Sequence, residues 1–215
     1  MDMKEILSHV DHTLLKQESS AAQIETICRD AIACGCASVC IPPCYVALAR
    51  SFCGDRMKVC TVIGFPNGYN ASEVKAFETR KAVLDGADEI DMVINIAAAL
   101  EGKFDLIKDE IALVRKECPG KVLKVIIETC YLDKDTMAKL CRIIEEAGGD
   151  YVKTSTGFAS GGATFEDIQW LSQNAGSLKV KASGGIRSFE DAEKYISLGA
   201  DRIGASALVN NFLKK

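Results

Sequence analysis

"SLGADRIG", residues 197–204, is the stretch on which the fold turns. A run with helical spacing ends at Gly199, one small residue follows, and an apolar strand begins. The same grammar occurs in "ACGCASVC" (33–40), "LDGADEID" (84–91) and "EAGGDYVK" (146–153). Glycine closes a helix in the left-handed conformation without steric penalty, so Gly35, Gly86, Gly148 and Gly199 mark four helix-to-strand joints. They recur at intervals of 51, 62 and 51 residues, the signature of a chain assembled from like supersecondary units.

Working outward from these joints, helical spacing puts Ile24, Ile27 and Ala31 on one face, and likewise Ile107, Ile111 and Val114. Met137, Leu140, Cys141 and Ile144 repeat it, as do Phe189, Ala192 and Ile196. "SAAQ" (20–23) reads as a capping box, and Asn70 with Glu73 as a looser one. Strands are expected near 8–15, 37–42, 58–66, 87–95, 121–129, 151–156, 178–183 and 202–206. "KVCTVIGF" and "VLKVIIET" are nearly continuous apolar runs, as strands covered on both faces are. Eight strands alternating with helices predict a closed (β/α)8 barrel spanning residues 1–215 as one domain, with an open doubly wound sheet as the runner-up.

Composition narrows the function. With 48% hydrophobic residues the 215-residue chain can bury a large core. Its net charge of −4, without a basic tract, argues against nucleic acid as a partner. The charged opening "MDMKEILSHVDHTLLK" lacks the apolar core of a signal peptide, and nothing resembles a membrane span, so a cytoplasmic protein is expected. Seven of the ten cysteines fall between Cys28 and Cys60; they lack paired C-x-x-C spacing and read as reduced thiols rather than metal ligands. Cys40, near the end of strand two, is the first suspect for oxidation or aldehyde modification.

In a barrel, reactive groups sit at the C-terminal ends of strands. Asp11, Asp91, Lys124, Glu128, Lys153 and Lys181 are the polar residues interrupting the apolar strands. Strand alternation gives Tyr151, Lys153 and Ser155 one face, and Lys179 and Lys181 another. Inward-pointing Lys153 and Lys181 on neighbouring strands would bring their ammonium groups to about 5 Å, where repulsion is roughly 3 kcal/mol, or about two pKa units. One lysine is then expected to be neutral near physiological pH: a nucleophile for carbonyl carbon whose protonated imine stabilises an adjacent carbanion. Asp91 is the natural proton relay. The spacing does not say which lysine is the nucleophile. Lys179, lower on its strand, is expected in a structural ion pair, and Lys124 with Glu128 in a polar core pair or as site support. Asp88, Glu89 and Asp201 read as solvated or paired strand-entry residues.

"SGGIR" (183–187) and "GAS" (204–206) lie where barrels bind phosphate, at exposed backbone N–H groups before a helix. Gly184 and Gly185 allow close approach, Ser206 adds a hydroxyl, and Arg187 an optional side-chain donor.

Together "DHTLL", "DEIDMVIN", "LKVIIETC", "YVKTSTGF", "VKASGGIR" and "RIGAS", in order over nearly the whole chain, resemble the deoxyribose-phosphate aldolase family of class I aldolases. The resemblance implies a (β/α)8 barrel that reversibly cleaves 2-deoxy-D-ribose 5-phosphate to D-glyceraldehyde 3-phosphate and acetaldehyde, without metal or cofactor. It implies Lys153 as the Schiff-base lysine, Lys181 as the second lysine that lowers its pKa, and Asp91 as the acid/base partner. It makes Asp11 a supporting contact and Thr154, Gly157, Gly184, Gly185, Arg187, Gly204 and Ser206 substrate or phosphate contacts. Partners are then a sugar phosphate and short aldehydes, and a homo-oligomer is possible. Phe158 stands where some relatives carry a phosphate-holding lysine, and "VNNFLKK" lacks the C-terminal tyrosine of others, which leaves proton shuttling to water, Asp91 and Lys181.

Three other functions are conceivable. A phosphate-binding isomerase would use a carboxylate base and form no imine. A sugar-phosphate sensor would bind without turnover. A metal-dependent aldolase would lean on histidines, and the chain has only His9 and His12, on opposite faces of one strand candidate.

Overall fold

The computed structural model describes residues 1–214. A short helix α1 (Met3–Leu7) precedes β1 (Val10–Thr13), and then the β/α alternation begins. It runs α2 (Ala21–Cys34), β2 (Ser38–Ile41), α3 (Val46–Cys53), β3 (Val59–Ile63), α4 (Ser72–Leu84) and β4 (Glu89–Val93). Helices α5 (Ile96–Leu100) and α6 (Phe104–Glu117) follow, then β5 (Val122–Ile126), α7 (Lys134–Glu146) and β6 (Tyr151–Lys153). The chain finishes with α8 (Phe165–Asn174), β7 (Lys179–Ser183), α9 (Phe189–Ser197), β8 (Arg202–Ala205) and α10 (Ala207–Leu213). All strands pair in parallel with their sequence neighbours, and β8 returns to β1, closing the barrel. The open-sheet alternative is thereby excluded. Among the described residues no helix is long and apolar enough to cross a membrane.

The local signals explain most boundaries. Ser20 and Gln23 form the expected reciprocal capping box on α2, which ends at Gly35 with φ 67°. Asp133, Thr164 and Ser188 cap α7, α8 and α9 by accepting a backbone N–H from the first turn. The cap expected from Asn70 and Glu73 is absent: α4 starts after Ala71 without a side-chain cap bond. On α9 Phe189, Ala192 and Tyr195 are buried, and Ile196 is only half-buried.

Two regions fill the interior differently. Between sheet and helices lies an extensive apolar layer including Val39, Ile41, Ile90, Met92, Leu123, Val125 and Val152, packed on the predicted faces of α2, α6 and α7. Inside the barrel, Cys40, Cys60 and Val62 form a small separate apolar cluster. The remaining interior is charged. Asp11 is the second residue of β1, and it meets Lys181 of β7, so both point into the barrel.

Candidate active site

Asp91 of β4 is the hub of the barrel interior. Its Oδ2 accepts from Lys153 Nζ at 2.7 Å and Lys181 Nζ at 2.6 Å. Its Oδ1 accepts from Lys124 Nζ at 2.9 Å and from the Cys60 thiol at 3.2 Å. Lys153 and Lys181 are register partners on β6 and β7, so alternation sends both side chains inward. One level down, Lys181 also binds Asp11, which accepts from Ser38 Oγ at 2.7 Å and from Arg202. Lys124 reaches Glu89 Oε2 at 2.6 Å, and Arg202 reaches the same oxygen at 3.1 Å. Lys124, Lys153, Lys181 and Arg202 thus face Asp11, Glu89 and Asp91, four cations against three carboxylates.

These contacts set the protonation. Burial alone would push Asp91 up, but Lys124, Lys153 and Lys181 hold it well below the usual carboxylate range. Asp11 is depressed likewise, the Lys181, Lys124 and Arg202 charges outweighing burial. Lys181 is raised, because Asp11 and Asp91 overcome its desolvation. The expectation that mutual repulsion neutralises a lysine omitted the carboxylate between the pair: Asp91 bonds both ammonium groups, and Lys181 stays charged.

Above the network opens a cleft of about 470 Å³ at the C-terminal ends of β1, β6, β7 and β8. Lys153 is the one cation of the network in its lining. Gly157, Gly184, Gly185, Arg187, Gly204 and Ser206 also line it, as expected. Gly184 has φ 87°, and a Cβ there would stand 3.0 Å from the Gly162 Cα. A Cβ on Gly162 would be 2.4 Å from the Gly184 carbonyl oxygen, so the loops after β6 and β7 pack backbone on backbone. Gly204 has a different reason: a Cβ would lie 2.4 Å from Ser183 Oγ and 3.3 Å from Lys181 Cε. It makes room for the Lys181 side chain.

Several expectations need correction. Thr154 lies outside the lining and is fully buried; its hydroxyl accepts from Ser183 N at 3.1 Å, tying β6 to β7, while Thr156 faces the cleft. Glu128 does not pair with Lys124; it accepts from Thr156 N at 3.1 Å and from Thr156 Oγ1. Lys179 is exposed and stacks on Tyr151 at 5.7 Å, and among the described residues it forms no ion pair. Glu89, the first residue of β4, is the paired one of its two expected alternatives: it is buried and bound to Lys124 and Arg202. Cys40 is fully buried outside the cleft lining, and a Cys60 hydrogen bond lowers its pKa against burial.

Sequence reading missed Arg202, Thr13, Leu14, Leu15, Lys16, Thr156 and Ser183. Arg202 was findable, since strand alternation puts it on the inward face with Gly204. Lys16 lies in irregular chain after β1 and carried no periodic signal. Ser183 Oγ is buried, has no hydrogen-bond partner among the described residues and lines the cleft, a hydroxyl left available. Phe158, half exposed, stands at the mouth edge-on to Phe65, with ring centroids 5.3 Å apart.

The arrangement offers an amine at the floor of a cleft, a carboxylate bonded to it, and glycine-rich loops opposite. Residues 6–214 match the model of the DeoC/LacD family of aldolases. The deoxyribose-phosphate aldolase of Streptococcus agalactiae is 47% identical over 210 residues, 97% of this chain and 94% of the relative. That of Streptococcus pyogenes is equally similar over the same span. Among solved structures, QR15, an aldolase, superposes with a TM-score of 0.93 at 42% identity, covering 98% of this chain and 96% of the other. The tetrameric deoxyribose phosphate aldolase of Aeropyrum pernix gives 0.89 at 31% identity, covering 99% and 92%. With a family model matched over nearly its whole length, the chain belongs to the DeoC/LacD family of aldolases.

Proposed function

We propose that the chain is a deoxyribose-phosphate aldolase that cleaves 2-deoxy-D-ribose 5-phosphate through a Schiff base on Lys153. The observation that carries this reading is the position of Lys153. It is the network cation that lines the cleft, and among the described residues its ion-pair partner is Asp91 alone, whereas Lys181, Lys124 and Arg202 each bind two or more carboxylates.

Lys153 gives up a proton, which leaves the network with three cations and three carboxylates. Its free amine adds to the C1 aldehyde of the open-chain sugar. Asp91, 2.7 Å from the amine, relays the proton that lets the carbinolamine lose water. The protonated imine then draws in the electron pair of the C2–C3 bond as the C3 hydroxyl loses its proton. Glyceraldehyde 3-phosphate leaves, and the two-carbon enamine stays on Lys153. Protonation of the enamine carbon and hydrolysis of the imine release acetaldehyde and restore the amine. Lys181, fixed by Asp11 and Asp91, keeps Asp91 ionised between proton transfers. Gly157, Gly184 and Gly185 offer backbone N–H groups to the phosphate, with Ser206, Arg187 and Lys16 around the same cleft.

The test is intact-mass and peptide mapping after borohydride treatment with acetaldehyde. A reduced two-carbon adduct on Lys153, lost in Lys153→Arg, is expected. An adduct confined to Lys181 would reverse the two roles. Turnover with no adduct on either lysine would leave the isomerase reading, and binding with neither turnover nor adduct the sensor reading.

A further inference from the structure

Glu128, two residues past β5, has φ 56° and ψ 67°, and among the described residues no other non-glycine has a positive φ. A side-chain-bearing residue in the left-handed region is strained and persists only where its surroundings fix it. Here the bonds on either side do so. Ile127 N donates to Lys153 O at 3.1 Å, and Thr129 N to Thr154 O at 2.9 Å. A regular parallel ladder steps two residues along β6 between such bonds. This one steps a single residue, so Glu128 is the extra residue of a bulge, a device that re-aims a side chain beside a site. Its carboxylate is 1% exposed, has no ion-pair partner among the described residues, and takes no part in the mechanism above. What it grips is Thr156. Thr156 N lies 3.1 and 3.2 Å from the two Glu128 oxygens, and Thr156 Oγ1 donates to Oε2 at 2.5 Å. The same hydroxyl accepts from Phe158 N at 3.1 Å.

We propose that Glu128 is the positioning residue for the phosphate end of the cleft: by gripping Thr156 it fixes the loop that presents the Gly157 N–H to the substrate's phosphate ester. The inference rests on the sugar-phosphate reading of the site given above. The grip uses the backbone N–H groups of Thr156 and Phe158 and leaves the one between them. Among the described residues the Gly157 N–H has no acceptor, and Gly157 lines the cleft with φ 82°, packed on Gly184. Backbone donors hold an anion well only when the chain that carries them is already ordered; a loose loop must be immobilised at each binding event. A carboxylate buried without a cation is itself costly, and the hydrogen bonds from Thr156 offset that cost. Carboxylate and loop conformation therefore depend on each other. Lys153 depends on neither, because Asp91 holds its amine from the barrel interior. Loss of the grip acts on phosphate binding first and on the chemistry second.

Glu128→Gly tests this, because glycine adopts the same backbone freely while the grip is lost. Titration calorimetry uses glycerol 3-phosphate, which has the phosphate ester but no carbonyl to react. Its dissociation constant should rise about tenfold over the parent's. For cleavage of 2-deoxy-D-ribose 5-phosphate, kcat/KM should fall about 30-fold, mostly through KM, and for unphosphorylated 2-deoxy-D-ribose only about threefold. Glu128→Gln keeps an acceptor oxygen for Thr156 and should return glycerol 3-phosphate affinity to within about threefold of the parent. Thr156→Val removes the other half of the grip, so its loss and that of Glu128→Gly should not add in the double variant. Equal losses on the two sugars with KM unmoved would show a less stable fold only, and would overturn the proposal. So would glycerol 3-phosphate affinity that is absent in the parent or unchanged in Glu128→Gly, or losses that add. A parent that binds glycerol 3-phosphate and cleaves neither sugar refutes the aldolase reading instead, and the titration still decides this one.

Discussion

The buried pair Lys75–Glu110 gives the sharpest stability test. Lys75 has no exposed side-chain surface, and all three protons of its ammonium are used. They go to Glu110 Oε1 at 2.6 Å, Val93 O at 2.7 Å and Gly68 O at 2.5 Å. Glu110 also accepts from Asn95 N at 3.1 Å. The pair therefore staples the loop between β3 and α4 to the end of β4. Lys75→Met keeps the stem's bulk but leaves a buried carboxylate and two carbonyls without their donor, at about 3–5 kcal/mol. In a domain of this size that lowers Tm by roughly 6–20 °C. Burial already raises the Glu110 pKa above its usual 4.5 despite the lysine, and losing Lys75 raises it further. A carboxyl whose folded pKa is raised stabilises at low pH, and that contribution disappears as pH climbs through the folded value. The cost of Lys75→Met is therefore smaller at pH 5 than at pH 8. Lys75→Met/Glu110→Gln removes both charges and should recover about 2 kcal/mol relative to the sum of the single costs. Urea denaturation followed by far-UV circular dichroism reads all three variants. Costs that add to within ~0.5 kcal/mol and ignore pH would refute the reasoning. The stapled loop also carries Phe65, which packs on Phe158 at the cleft mouth. Steady-state kinetics of Lys75→Met should accordingly show KM rising more than kcat falls.

Three further outcomes follow from the network. Asp91→Asn removes the carboxylate that three lysines share, and kcat/KM for deoxyribose phosphate cleavage should fall about 10²–10⁴-fold in a coupled assay. Gly204→Ala forces its methyl against Ser183 Oγ and Lys181 Cε, so activity should drop at least about tenfold while unfolding free energy falls by ~1–3 kcal/mol. Asp11→Asn tests linkage. The folded pKa of Asp11 lies below its usual 3.8, so its contribution is complete above that value and disappears as pH falls through the folded one. The stability gap between parent and variant should be flat from pH 5 to 8 and narrow below about pH 4, measured by urea titration.

The fold was legible because each joint repeats one physical event, a left-handed glycine between an amphipathic helix and an apolar strand. Gly35, Gly86, Gly148 and Gly199 all have positive φ. Each of the eight expected strand ranges contains an observed strand. The inward lysines were legible from alternation, which fixes the face a side chain takes. What alternation does not carry is partner choice across a closed barrel. Asp91 and Lys124 are register partners on β4 and β5, but Lys181 comes from β7, 90 residues from Asp91, and strand pairing alone does not say how long side chains from opposite walls converge. That is why two lysines looked mutually repulsive and why Lys124 was matched with Glu128. Helix α4 escaped for the opposite reason: its apolar residues Val74, Phe77 and Leu84 face away from the core, so periodicity without a partner says nothing about which side is inside.

The surplus cation in the barrel bears on the chemistry proposed for it. Four cations face three carboxylates at rest, so the position of Lys153 Nζ is electrostatically built for a positive charge, with Asp91 Oδ2 2.7 Å away. A protonated imine on the same nitrogen carries that charge in nearly the same place. The neutral amine before attack and the neutral enamine after carbon–carbon cleavage both leave the network balanced, three against three. Because only that one nitrogen changes charge among these states, none requires Asp11, Glu89 or the other cations to change protonation. The buried carboxylates and lysines are costly to desolvate, and their mutual bonds offset that cost only while all stay in place. Chemistry that alternates between charge and neutrality at one nitrogen leaves those bonds intact. Chemistry that moved charge elsewhere in the interior would break them.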